Sequence, residues 1–310
     1  MLKIFPWLLS LGMASLALSI NAKPSQANDY ATAPVDYFQG RESIPLEIEP
    51  PTNSLPPNNN FGNFDRPLSQ GSCPAILQPV IEQIVGAKAM KNWGILVETL
   101  QGRKVLYGLN ENRYFIPASN NKIFTTAAAL QRLDPQVTIG SKPLREWIMV
   151  INKHSDNGYA ERVMRHLGGP GAVKSAITQL GVNPQSFRLA DGSGLSRSNA
   201  ATPRALVDTL QAMYYAPSKD LFVASLPVAG QNGTLSRRMK ATPAEGNVHA
   251  KTGTLKGVRA LSGYINNPTH GTLVFSILAN DWSRSGTALV RAIDQVAVQL
   301  NTLGPCSTSP

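Results

Sequence analysis

Pro117-Ala118-Ser119-Asn120-Asn121-Lys122 sets a hydroxyl and an amine three residues apart at the mouth of an expected helix. Residues i and i+3 share a helix face. The Ala-rich run 125–133 is a good helix former, and Pro117 with Ser119 suits a helix entry. Ser119 and Lys122 are therefore expected to touch. A serine hydroxyl is a poor nucleophile until a base takes its proton, and a lysine half-buried among apolar side chains is neutral enough to act as that base. S-x-x-K is a short pattern, however, and a polar helix start with a solvated lysine is its plain alternative.

Outward from this helix, taken as 119–133, the apolar spacing sets the remaining elements. Ile76, Leu77, Val80, Ile81, Ile84 and Val85 recur at helical intervals, giving a first helix over 73–85. Strands follow at 93–99 and 104–108 around the Gln101-Gly102 turn. Leu144, Trp147, Ile148 and Ile151 fall on one face of a helix over 144–153, and further helices are expected at 158–167, 171–180 and 203–215. The last third reads as strands at 248–254, 258–265 and 272–279, then a helix over 285–300. Helix, two strands, a helical block, three strands and helix describe an α/β protein of the α+β type: an antiparallel sheet flanked by helices, with the chain ends meeting on one face.

Of the 310 residues 42% are hydrophobic and 15% charged, ample for a core and ordinary for an exported protein. Lys3 is followed by an apolar run from Ile4 to Ile20, then small residues at Ala22 and Ala27. That is the grammar of a secretory signal over 1–27, with cleavage after Ala27 or, alternatively, Ala22; an uncleaved anchor is the competing reading. Residues 28–72 carry Pro34, Pro45, Pro50, Pro51, Pro56, Pro57 and Pro67 and the cluster Asn58-Asn59-Asn60, and are expected to be a disordered linker. The folded domain is placed at 73–306.

Without residues 1–27 the chain holds 27 basic and 19 acidic residues, a net +8. The basic residues are scattered, so the excess reads as a cationic surface suited to anionic envelope material and not as a nucleic-acid interface. Cys73 and Cys306 lie at the two ends of the domain. In an exported chain such a pair is expected to form a disulfide, two free thiols being the alternative. Neither cysteine has metal-ligand spacing or a histidine nearby in the sequence, so no metal site or cofactor is expected.

Three patterns stand in order: Ser119-x-x-Lys122, Ser155-Asp156-Asn157 and Lys251-Thr252-Gly253. Each is weak alone, but the ordered triple is the signature set of serine penicillin-binding proteins and β-lactamases. The chain resembles the class C low-molecular-mass penicillin-binding proteins, the D-alanyl-D-alanine carboxypeptidases of peptidase family S13. The narrower match rests on Asp191-Gly192-Ser193-Gly194-Leu195-Ser196-Arg197, on Leu226-Pro227-Val228-Ala229-Gly230 leading to Gly233-Thr234-Leu235, and on Lys251-Thr252-Gly253-Thr254-Leu255-Lys256-Gly257-Val258. Members of that family usually carry large inserted domains between the serine helix and the S-x-N loop. Here only 36 positions separate Ser119 from Ser155, so the insert is missing and the site is expected to be more open.

The resemblance implies the serine β-lactamase/DD-peptidase fold with a helical subdomain, and it implies roles. Ser119 would attack the carbonyl of the penultimate D-Ala of a peptidoglycan stem peptide, with Lys122 taking its proton. Ser155 would relay that proton to the leaving amine, and Asn157 would hold the substrate backbone. Lys251, on an edge strand, would raise the local potential and help keep Lys122 neutral. Thr252 and Thr254 would bind the terminal carboxylate, the backbone N–H groups of Ser119 and Thr254 would form an oxyanion hole, and Gly253 would leave room for a ligand along the strand. β-Lactams would inhibit, and the protein would be exported, periplasmic or envelope-associated. The alternatives are a serine β-lactamase, against which no E-x-x-L-N pattern follows Ser155, and a non-catalytic wall-binding relative. His154 and His249 are read as structural or surface residues and the Asp191-Gly192-Ser193-Gly194 loop as bordering the site. Asp281, Glu161 and Glu245 show no pairing pattern for carboxylate catalysis.

Overall fold

The computed structural model describes residues 72–306; the expected signal segment and nearly all of the linker lie outside them. In chain order the elements are α1 Ser72–Val85, β1 Trp93–Thr99, β2 Val105–Leu109, α2 Asn121–Arg132, β3 Thr138–Ile139, β4 Lys142–Pro143, α3 Leu144–Lys153, α4 Asn157–His166, α5 Pro170–Gln179, β5 Phe187–Arg188, β6 Ala200–Ala201, α6 Pro203–Tyr214, α7 Lys219–Ser225, β7 Val248–Leu255, β8 Val258–Asn267, β9 Gly271–Asn280 and α8 Gly286–Asn301. Short 3-10 turns occupy Ala87–Asn92, Ala118–Asn120 and Gly233–Leu235.

Five strands form an antiparallel sheet in the order β2-β1-β9-β8-β7. Side chains alternate across a strand, and both faces here are covered. Ile95, Val97, Phe275, Ile277, Leu261 and Ile265 join Leu77 and Ile81 of α1 and Leu289, Ile293 and Val296 of α8 in one core. Leu96, Val274, Leu278, Ala260 and Tyr264 face the other core, with α2, α3 and α6. A strand buried on both sides reads as a continuous apolar run, and Trp93-Gly94-Ile95-Leu96-Val97 does.

α2 runs through the second core with every residue from Asn121 to Leu130 buried. Ala127, Ala128 and Ala129 let neighbouring helices approach it closely, so the Ala-rich run serves packing as well as propensity. α1 and α8 pack on the same face, as expected, and bring the described ends together. Cys73 and Cys306 face each other with Cα atoms 4.9 Å apart, within the disulfide range. The sequence sets no histidine near either cysteine, and it is the fold that brings His270 Nε2 to 3.6 Å from Cys306 Sγ. The expected element bounds fall within a few residues of those observed. Helix α7 and the small β3–β4 and β5–β6 hairpins were not anticipated, being too short to show a period.

Candidate active site

Ser119 sits in the 3-10 turn that leads into α2. The turn is tied down from two directions. Asn120 Nδ2 donates to Ser262 Oγ of β8 at 2.7 Å, and Ser262 Oγ in turn to Ser276 Oγ of β9 at 2.9 Å. Asn280 brackets Ile116, its Oδ1 accepting from Ile116 N at 2.7 Å and its Nδ2 donating to Ile116 O at 3.1 Å. Ala118 is held at φ +48 and Ser155 at φ +61, both left-handed non-glycine conformations. Such strain persists only where the surroundings over-determine it, and it clusters at functional sites.

Lys122 is fully buried, and its Nζ donates to Ser119 Oγ at 2.9 Å, Asn157 Oδ1 at 2.8 Å and Ser193 O at 2.7 Å. Burial brings its pKa down to about 8, against the opposing pull of Asp191, Asp156 and Glu161. The partner set fixes what a neutral Lys122 does. Asn157 Oδ1 and Ser193 O can only accept, so they keep two N–H groups. The lone pair is left facing Ser119, the one partner able to donate. A solvated lysine at a polar helix start is therefore not what the fold builds.

Lys251 is also fully buried and donates to Ser155 Oγ at 2.8 Å and to Thr252 O at 3.1 Å. Burial, and then the charge of Lys122, holds its pKa well below the ordinary lysine value. Ser155 Oγ accepts from Lys251, so its own proton is free to be donated. β7 is the sheet edge expected for Lys251, but half of that edge is covered. Ala250 N donates to Pro227 O and Ala229 N to Val248 O, each at 2.9 Å. Backbone groups alternate in direction along a strand, so those of Thr252 and Thr254 point to the same side as Val248 and Ala250, beyond the covering segment. The open half-edge forms a strand-shaped slot beside Ser119, with Thr254 exposed in it. Asn157, at the start of α4, is exposed across from it, while Asp156 caps that helix by accepting from Tyr159 N at 2.8 Å.

Gly253 differs from expectation in its reason. A Cβ there would stand 2.7 Å from Pro117 O, 2.9 Å from Ala260 Cβ and 3.3 Å from Ala118 Cβ. The space is filled by the serine turn and β8, so the glycine lets the turn lie against the strand and leaves no room for a ligand at that point.

The roles of four residues, Glu161, Asn121, Thr125 and Thr234, escaped the sequence reading. Glu161 shows no carboxylate partner, but accepts from Gly192 N at 3.1 Å and Ser193 N at 2.8 Å, holding the loop whose Ser193 carbonyl meets Lys122. The same loop is strapped to α2 by Asn121 Nδ2 on Asp191 O at 2.7 Å and Thr125 Oγ1 on Gly192 O at 2.8 Å. Thr234, in the turn after the covering segment, lies 2.8 Å from Thr252 Oγ1. The 191–194 loop and Gly233-Thr234-Leu235 stand out in the sequence as stretches that carry the resemblance, but the contacts join residues far apart in sequence and are not read from it. His154 is exposed and does not enter this network; His249 lies on β7, where burial first of all lowers its pKa.

The D-Ala-D-Ala carboxypeptidase 3 (S13) family matches residues 77–140 and 137–303. The two matched segments meet where the inserted domains are expected to be missing. A D-alanyl-D-alanine carboxypeptidase from an Actinomadura species is 43% identical over 176 residues, covering 52% of this chain and 32% of the relative. The D-alanyl-D-alanine carboxypeptidase DacB of Haemophilus influenzae is 35% identical over 159 residues, 46% of this chain and 33% of the relative. The chain thus spans about a third of these curated relatives' length. Among solved structures, penicillin binding protein 4 from H. influenzae, in complex with a β-lactam, aligns with TM-score 0.61 and 17% identity over 73% of this chain and 99% of that chain. The TLA-3 extended-spectrum β-lactamase aligns with TM-score 0.62 and 19% identity over 74% and 98%. These two show the serine β-lactamase/DD-peptidase fold. With the family matched over most of its length and the ordered motifs gathered around one serine, the chain belongs to the D-Ala-D-Ala carboxypeptidase 3 (S13) family.

Proposed function

We propose that the chain is an exported serine D-Ala-D-Ala carboxypeptidase that trims peptidoglycan stem peptides through an acyl-enzyme on Ser119 and is inhibited by β-lactams. The observation that carries this reading is the hydrogen-bond set of Lys122, in which Ser119 alone can give up a proton. Ser119 Oγ bonds to the carbonyl carbon of the penultimate D-Ala as its proton passes to Lys122 Nζ. The oxyanion is met by the backbone N–H groups of Ser119 and Thr254. The C–N bond to the terminal D-Ala then breaks, its amine taking a proton through Ser155, and water later releases the acyl group. Thr252 and Thr254 hold the terminal carboxylate, Asn157 the substrate backbone, and Lys251 supplies the positive field.

Peptidase is favoured over β-lactamase by where the nearby carboxylates are engaged. Asp156 caps Tyr159 N, Glu161 takes Gly192 N and Ser193 N, and Asp191 takes Gly194 N and Ser196 N, each at 2.6 Å. A β-lactamase needs a base for fast deacylation, and these carboxylates are committed to backbone. Without an insert over the slot, the same site suits endopeptidase cleavage of D-Ala crosslinks and a broad range of peptide sizes. Export through 1–27, spacing by 28–72 and a Cys73–Cys306 disulfide complete the proposal. No described helix is long and apolar enough to cross a membrane. The test is release of free D-Ala from a synthetic peptide ending in D-Ala-D-Ala: wild type is expected to release it and Ser119→Ala to release none. Full activity in the variant would overturn the mechanism.

A further inference from the structure

Thr234 and Lys153 have no role in the scheme above, yet the fold joins them to it. The segment that covers the first half of the β7 edge runs on from Leu226 through Val228, paired with His249, into the 3-10 turn Gly233–Leu235. That turn places Thr234 Oγ1 2.8 Å from Thr252 Oγ1. Two hydroxyls joined by one hydrogen bond use one of their two protons, and the other is left to donate. An anion receiving it would be met by a polarised pair, each bond strengthening the next. Thr234 is exposed, on the open side of the edge, so its hydroxyl is within reach of a ligand in the slot.

The position of this turn is fixed by Lys153, the last residue of α3, two before Ser155. Its Nζ donates to Leu226 O at 2.6 Å, pinning the start of the segment. Its stem lies under the turn, for a Cβ at Gly233 would meet Lys153 O at 2.5 Å and Lys153 Cδ at 3.1 Å, and Gly233 takes φ +56 there. One side chain thus ties the α3 end that carries Ser155 to the turn that carries Thr234. Burial lowers the Lys153 pKa to about 8, consistent with an ammonium enclosed between the two elements.

We propose that Thr234 is a further binding residue for the substrate's terminal carboxylate, sharing with Thr252 the one proton that their hydrogen-bonded pair has left to donate, and that Lys153 is the positioning residue that holds it there. This inference rests on the peptidase reading and names the group that reads one end of its substrate.

The experiment compares a peptide ending in D-Ala-D-Ala acid with its C-terminal amide, using the purified full-length chain. A hydrogen bond to a charged group contributes about 1.5–3 kcal/mol, so Thr234→Val is expected to lower kcat/KM for the acid about 10- to 100-fold, mainly through KM. The amide, with no anion to bind, should be cut as by wild type, and Thr234→Ser should restore the acid. Lys153→Met should shift the acid-to-amide ratio in the same direction, with recovery in Lys153→Arg. Equal loss on both peptides, or no loss on the acid, would overturn the assignment. A wild type that cleaves neither peptide and takes up no penicillin would instead overturn the peptidase reading beneath it.

Discussion

Raising the pH should accelerate acylation of Ser119, and the geometry of Lys122 sets by how much. Lys122 is fully buried, and burial brings its pKa from 10.5 to about 8. At about 1.4 kcal/mol per unit, keeping the proton inside costs roughly 3 kcal/mol relative to water. With a pKa of about 8, about one molecule in ten holds the neutral amine at pH 7 and about nine in ten at pH 9. The rate of acylation by a penicillin below saturation should therefore climb about tenfold over that range and level off above it. Stability carries the same signature. The folded pKa lies below the unfolded one, so the unfolded chain binds more protons between pH 8 and 10.5 and the Lys122 contribution to stability rises across that window. Below pH 8 both states are protonated and the full cost is present. Stopped-flow acylation from pH 6 to 10, with urea unfolding of wild type and Lys122→Met at pH 7 and 9.5, measures both. A flat acylation profile, or one with its midpoint near 10.5, would refute the assignment of Lys122 as the base.

Gly253→Ala would force a methyl against Pro117 O and Ala260 Cβ, and should cost about 1–3 kcal/mol in urea unfolding while slowing acylation by displacing the serine turn. Glu98, buried on β1, bonds both Arg103 and Arg204. Glu98→Ala should destabilise by about 2 kcal/mol, since both guanidinium groups reach solvent, and leave penicillin acylation unchanged. Removing the Cys73–Cys306 link by Cys73→Ser frees a loop of sequence separation 233 and should cost up to about 5 kcal/mol in the loop-entropy account. Thermal melting of the oxidised wild type against the variant checks it; equal midpoints would mean that no such bond forms.

The local signals were legible in the sequence. The Leu144–Lys153 period gives α3 with its observed bounds, and the three ordered motifs mark Ser119, Lys122, Ser155, Asn157 and Lys251, which the fold gathers into two hydrogen-bonded groups, Ser119–Lys122–Asn157 and Ser155–Lys251. Contacts made by residues far apart were not legible. Glu161 acts on backbone N–H groups of a loop 31 and 32 residues away, and a carboxylate serving main-chain donors leaves no pairing pattern. Thr234 lies in a stretch that carries the resemblance, but its contact with Thr252 shows only once Pro227–Ala229 is seen lying on β7. The reading of Gly253 erred for a related reason: a strand glycine signals close approach of something, and only packing shows that the visitor is Pro117. His270 and Cys306, 36 residues apart, meet because α8 folds back on the sheet.

The most direct test is the intact mass of the full-length chain after brief exposure to benzylpenicillin, beside its Ser119→Ala variant. The account predicts one penicilloyl adduct on the wild type, persisting because Asp156, Glu161 and Asp191 are committed to backbone N–H groups, and none on the variant. An adduct on both would move the nucleophile away from Ser119. No adduct on either, with the penicillin unconsumed, would contradict the catalytic account and point to a wall-binding relative that has kept the fold without the chemistry.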